Sequence, residues 1–195
     1  LVIDEAHNLE DVATNQFGAS LSLRITIEAL DGIHRRGGRN QREGGVVTLV
    51  KALPEEAFGV LAKSLEEGVA RCFEKAAPFF AAIGRLGGTG DDDRQLLTAA
   101  VRHGDRWDAV EDAWDGFLRA LRDLEARGAT AGRAVAGAAV ESAEVLAAEL
   151  DAAIRKVQEI HLLAEQLMGT PGDDTIAWTG RDRDGNGTLN SAPLE

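Results

Sequence analysis

Apolar residues recur every three or four positions over most of the 195-residue chain, a period that predicts a mainly helical protein. Pro54 suits a first helical position, and Phe58, Leu61, Leu65, Val69, Phe73, Ala76, Phe80 and Ile83 then mark one face of a long helix that Gly87-Gly88 stops. After the acidic turn Asp91-Asp92-Asp93, a shorter helix is expected up to about His103. Trp107, Val110, Trp114, Phe117, Leu121 and Leu124 step by 3, 4, 3, 4 and 3, the spacing of a coiled-coil seam. A last helix is expected from about Ala131 to Met168, alanine-rich at first and then patterned by Leu146, Leu150, Ile154, Val157 and His161, pairing with its predecessor. Gly169-Thr170-Pro171-Gly172 ends it.

The two ends read differently. Leu1-Val2-Ile3 is an aliphatic strand-like run followed by Asp4-Glu5-Ala6-His7, a short helical stretch through Phe17, and a second helix from Ser22 as cap to Ile33. Residues 34–45 are glycine-rich and basic, as a mobile loop would be. Thr175-Ile176-Ala177-Trp178 reads as a short strand, with a Gly/Asp/Asn-rich tail before Ala192-Pro193-Leu194. An apolar run opening at residue 1 with no lead-in reads as a strand cut from a longer protein. Three spans are therefore expected: 1–33, 34–170 and 171–195.

Charge narrows the function classes. With 33 acidic and 21 basic residues the net charge is −12, so most of the surface repels phosphate and any nucleic-acid contact has to be local. The single cysteine, Cys72, excludes an internal disulfide and a zinc or iron–sulfur centre held by cysteines of this chain alone. It reads as a core residue on a helix. The absence of an apolar run long enough for a bilayer, with so little cysteine, sets the expectation of a cytoplasmic protein without a membrane partner.

The chemistry concentrates in Leu1-Val2-Ile3-Asp4-Glu5-Ala6-His7. A buried strand ending in adjacent carboxylates presents them at the carboxyl edge of a parallel sheet, where open α/β folds bind ligands. In a P-loop nucleotidase, one such carboxylate, here Asp4, holds Mg²⁺ through water, and the next, Glu5, orients and deprotonates the attacking water. The plainer reading is a strand-to-helix turn in which Asp4 or Asn8 caps the following helix. His7 could also join Asp4 and Glu5 as a metal ligand, although neither H-E-x-x-H nor paired Glu-x-x-His helices occur around it.

Asp4-Glu5-Ala6-His7 resembles the DEAH box, helicase motif II, and the run through Asn8-Leu9-Glu10 is similar to the DinG/XPD branch of superfamily 2 DNA helicases. The resemblance implies a helical-bundle arch insertion at 34–170, flanked by short pieces of a RecA-like α/β P-loop motor domain. Trp178 would stand on the returning strand and Ser191-Ala192-Pro193-Leu194 at the re-entry. It further implies ATP and Mg²⁺ as cofactors, 5′ to 3′ translocation on single-stranded DNA with duplex unwinding, DNA-repair-type roles, and an iron–sulfur cluster whose ligands lie outside this chain. His7 would link nucleotide to the DNA-binding machinery. No Gly-Lys dipeptide, and hence no Walker A loop, is present, so the segment by itself is expected to be inactive in ATP hydrolysis.

Three further features remain open. Arg35, Arg36, Arg39 and Arg42, with Glu43, place four positive charges and one negative within nine residues, a candidate DNA-backbone contact or a plain solvated loop. Trp107, Trp114 and Phe117 are a stacking platform or, by their spacing, core. Asp182-Arg183-Asp184-Gly185-Asn186-Gly187-Thr188-Leu189 matches the first half of a calcium loop but has Pro193 where the bidentate glutamate belongs. It is the basis of an opposing class, a non-enzymatic helical interaction module with a degenerate calcium-loop tail, against the plainer reading of a polar turn between two strands. His34, His103 and His161 show no partner pattern, and His161 on an apolar stripe is expected to be a hydrogen-bonded core histidine.

Overall fold

The computed structural model describes residues 18–37, 43–54, 56–87, 94–140, 142–170, 172 and 174–194. They form β1 (Ala19–Ser22), α1 (Leu23–Ile33), α2 (Val46–Lys51), α3 (Glu56–Leu86), β2 (Gln95–Leu96), α4 (Ala99–Arg102), α5 (Asp105–Ala136), α6 (Ala143–Met168), β3 (Thr175–Arg181) and β4 (Gly187–Pro193). The protein is mainly helical with one small antiparallel sheet. No helix among the described residues is long and apolar enough to cross a membrane.

The chain divides into two compact units, and the helices α3, α5 and α6 contribute to both. One unit gathers residues 18–23, 80–111 and 163–194; the other gathers Arg24–Phe79 and Asp112–Leu162. These units divide the 34–170 span within its helices.

The first unit is built on a four-stranded sheet in the order β1-β4-β3-β2, antiparallel throughout. Strands β3 and β4 are a hairpin in register from Thr175↔Pro193 to Arg181↔Gly187. Alternation along β4 buries Gly187, Leu189 and Ser191 and turns Thr188 and Asn190 outward, as a one-sided sheet requires. Gly187 is the tightest point: a Cβ there would meet Phe80 O and the Ile83 side chain at 2.6 Å and also the amide of Gly84, so only glycine fits. Arg181 Nε donates to Gly84 O at 3.0 Å across the same contact. Arg102 satisfies the open end of α6, donating to Met168 O at 2.6 Å and Leu167 O at 3.3 Å, while its guanidinium lies 4.8 Å from the centre of the Trp107 ring.

The second unit packs α1, α2 and residues 56–79 of α3 with residues 112–136 of α5 and 143–162 of α6. Its core includes Leu65, Val69, Cys72 and Phe79 on α3, Phe117, Leu121 and Leu124 on α5, and Leu150 and Val157 on α6, all at 1% exposure or less. Phe79 sets the register: its ring stacks on Phe117 at 5.4 Å and tilts against Trp114 at 5.5 Å. Arg127 ties α5 to α3 by donating to Ser64 Oγ at 2.8 Å, and its Nε donates to Asp123 Oδ2 one turn back on α5, also at 2.8 Å.

Two expectations change. The last helix does not start near Ala131, because residues 131–136 complete α5 and the chain turns at Gly137 before α6 begins at Ala143. Alanine-rich sequence favours helix without marking a face, which hides such a break. The tail is likewise more regular than its composition implied, since Gly187–Pro193 is a full strand paired on both sides. The parallel strand expected at residues 1–3 lies outside the described residues.

Candidate functional site

Asp4, Glu5 and His7 lie outside the described residues, as do Arg39 and Arg42. Arg35 and Arg36 are described, and both are exposed. Arg35 forms an antiparallel rung with Gly44, its N–H donating to Gly44 O at 2.9 Å and the Gly44 N–H to Arg35 O at 3.0 Å. The basic loop thus has a hydrogen-bonded base, with 36–43 spanning between the two sides of the rung. The next residue explains the return path. Gly45 has φ +87°, and a Cβ there would come 2.5 Å from Ile33 O and 2.9 Å from Asp31 O, so the chain doubles back against the end of α1 only because that residue is glycine. Thr48 Oγ1 then donates to Gly45 O at 2.8 Å at the start of α2.

Beneath this base lies a polar cluster that was not visible from sequence. His34, directly before Arg35, is 6% exposed, and its Nδ1 lies 3.7 Å from Glu43 Oε1. Lys51 Nζ donates to Glu43 Oε1 at 2.7 Å and also pairs with Glu66 on α3. The bond from Lys51 holds the Glu43 carboxyl below the usual range, and the two carboxylates raise the Lys51 ammonium above its own. One ligand atom from each of His34, Glu43 and Glu66 falls within 4.8 Å of the others, so this trio is the place among the described residues where a metal ion has several donors within reach.

A second polar surface is a 510 Å³ groove between α3 and α5, lined by Arg71, Lys75, Asp112 and Arg119 around Pro78 and Gly116. Its cations come from two helices, so only the i,i+4 spacing of Arg71 and Lys75 hinted at it. Arg71 lies 3.5 Å from Asp123 and Lys75 lies 2.8 Å from Glu74, so nearby carboxylates offset much of the groove's positive charge. Preference for an anion there is correspondingly small.

The other singled-out residues resolve as structure. Trp107 and Phe117 are buried and Trp114 is half-buried against Phe79, so the seam is core rather than a stacking platform. His161 Nδ1 sits 2.7 Å from Glu125 Oε1, the hydrogen-bonded position expected for a histidine on an apolar stripe. Cys72 is fully buried, and burial, reinforced by the charges of Asp123 and Glu125, pushes its thiol up to about 12, which removes the thiolate needed for ligation or nucleophilic chemistry. In the tail, Asp182 Oδ1 accepts from the amides of Asp184 at 3.0 Å and Asn186 at 2.9 Å, closing a hairpin turn between β3 and β4. The carboxylate is engaged by backbone donors, and the segment enters from a strand where a calcium hand enters from a helix. No protein-family model matches the chain, and no curated protein matches it either.

Proposed function

We propose that this chain is the segment of an ATP-dependent DNA helicase of the DinG/XPD type running from motif II through the helical arch to the re-entry into the first motor domain. The observation that carries the reading is the pairing of β1 with β4, in register from Ala19↔Ser191 to Ser22↔Thr188. The chain enters the helices from β1 and comes back as the β3–β4 hairpin, whose second strand pairs with β1, so the segments before and after the helices join in one sheet, a connectivity that suits an inserted domain. The DEAH sequence stands on the entering side of that pairing and Ser191-Ala192-Pro193-Leu194 on the leaving side.

In this reading Asp4 and Glu5 supply hard oxygen donors, a set that fits Mg²⁺ and its retained waters. Asp4 would hold the ion, which when bound would supply positive charge to offset that of the ATP phosphates. Glu5 orients the attacking water and takes its proton, and His7 relays the state of the nucleotide site to the DNA-binding surface. The phosphate-cradling loop and the second motor domain would come from elsewhere in the intact enzyme. Cys72 does not fit an iron–sulfur cluster, because its sulfur is buried and protonated.

The test is ATP turnover stimulated by single-stranded DNA in the intact protein. General-base assistance is worth roughly 10² to 10⁴ in rate, so Glu5→Gln is expected to lower turnover on that scale with nucleotide binding retained. Asp4→Ala is expected to weaken Mg²⁺-dependent nucleotide binding instead. A wild-type protein with no DNA-stimulated turnover, or a Glu5→Gln variant of normal activity, overturns the reading.

A further inference from the structure

We propose that His34, Glu43 and Glu66 form a binding site for a divalent metal ion of the zinc class, with the Lys51 ammonium as the metal's competitor for the two carboxylates. The site stands independently of the helicase reading, since none of its residues belongs to motif II or to the arginine set.

The leading observation is His34. It is more than nine-tenths buried, and its Nδ1 is shut off from water with no hydrogen-bond partner among the described residues. A buried nitrogen of this kind costs free energy unless something satisfies it. What it faces is Glu43 Oε1 at 3.7 Å, too far for a hydrogen bond yet close to the edge of a tetrahedral zinc site, about 3.3–3.5 Å when the metal–ligand distances are about 2.0–2.1 Å. Glu66 contributes an equally buried oxygen, Oε1, from α3. All three donor atoms lie within 4.8 Å of one another, so rotation of the half-exposed Glu43 side chain is the main adjustment that closure around an ion requires.

The donor set selects the ion. One imidazole and two carboxylates are poor company for Mg²⁺ or Ca²⁺, which take oxygen donors, and the absence of thiolate among them disfavours Cu(I). Zinc accepts His nitrogen and carboxylate oxygen together and leaves a fourth position for water. Lys51 already balances both carboxylates, and its side chain is 40% exposed, so it can swing into solvent as a divalent cation enters. The ion would then join the end of α1, the returning side of the basic loop and α3 at one point, adjacent to the Arg35–Gly44 rung.

Calorimetric titration of the full chain with Zn²⁺, and the visible absorption of Co²⁺ as a tetrahedral probe, test the site. One saturable site is expected. Loss of an outer-shell partner commonly costs about 10–100-fold in metal affinity, so His34→Ala and Glu66→Gln, which remove direct ligands, are each expected to weaken binding at least that much. Glu43→Gln alters a half-exposed side chain and keeps the test valid should the buried variants fail to fold; it is expected to weaken binding tenfold or more. Lys51→Met is expected to tighten binding by removing the competitor. Absence of saturable binding, equal affinity in wild type and Glu43→Gln, or weaker binding in Lys51→Met overturns the proposal.

Discussion

Ser20 and Asn190 are register partners in neighbouring antiparallel strands, and Ser20 Oγ donates to Asn190 Oδ1 at 2.8 Å although 170 positions separate them in sequence. The bond is exposed and contributes little by itself. Its importance is topological, because it marks where the chain before the helices meets the chain after them. The energy of that meeting lies one residue along, where Leu21 opposes Leu189 and both are fully buried.

Leu21→Ala is therefore expected to destabilise the protein by about 2–5 kcal/mol, the range for a leucine truncated in a packed core. Ser20→Ala is expected to stay within about 0.5 kcal/mol. Urea unfolding of the two variants checks this, and similar midpoints would mean that the β1–β4 seam does not contribute to global stability.

Glycines divide into two groups with opposite expected signs. A Cβ on Gly187 would strike the backbone of α3 at Phe80 O and at the amide of Gly84, and neither can move without shifting a helix, so Gly187→Ala is expected to cost about 1–3 kcal/mol or more. Gly59 in α3 and Gly132 in α5 have nothing within 4 Å of an added Cβ. There alanine removes only the entropic handicap of glycine in a helix, and each variant is expected to gain about 0.5–1 kcal/mol. Thermal melts of the three variants give the signs directly.

These residues also show what could be read in advance. The helices α3 and α5 were legible because large apolar residues repeat at helical spacing over many turns, and the seam through Trp107 and Phe117 placed the core correctly. The strand β1 was not, since Ala-Ser-Leu-Ser carries one large apolar residue and gains its alternation only from pairing with β4. Gly187–Pro193 was obscured in the same way by glycine, asparagine and proline, which are poor strand formers when no partner is considered. The arginine cluster was plain from composition, but the Arg35–Gly44 rung was not. His34, Glu43 and Glu66 come from three separate segments, and only tertiary packing brings their donor atoms together.

Cys72 sets a limit on stability at alkaline pH. Its folded-state value of about 12 lies above the ordinary 9.0, so the unfolded chain gives up the thiol proton first. The stabilisation is complete below about pH 9 and is lost progressively as pH rises from 9 towards 12. Alkylation of the native protein at pH 8 is expected to be slow and to accelerate on addition of denaturant. Cys72→Ala is expected to flatten the alkaline loss of stability in unfolding curves collected between pH 8 and 10.5, and an unchanged slope would remove Cys72 as its source.

The arginine loop gives the sharpest test of a nucleic-acid role in this acidic chain. With a net charge of −12, the chain by itself is expected to bind single strands poorly, so the contribution of four arginines is best read from the salt dependence in the longer helicase proposed above. Each phosphate contact on a single strand adds about 0.7 to the slope of log affinity against log salt. If all four arginines contact phosphates, replacing Arg35, Arg36, Arg39 and Arg42 with alanine is expected to flatten that slope by up to about 2.8 and to weaken binding alike for all sequences. The base of the loop should persist, because the Arg35–Gly44 rung is made by backbone groups that the substitution leaves in place. Fluorescence anisotropy with labelled single strands at several salt concentrations separates the cases. A fall in affinity at unchanged slope would point to lost structure, and no change in either would make the loop solvated surface.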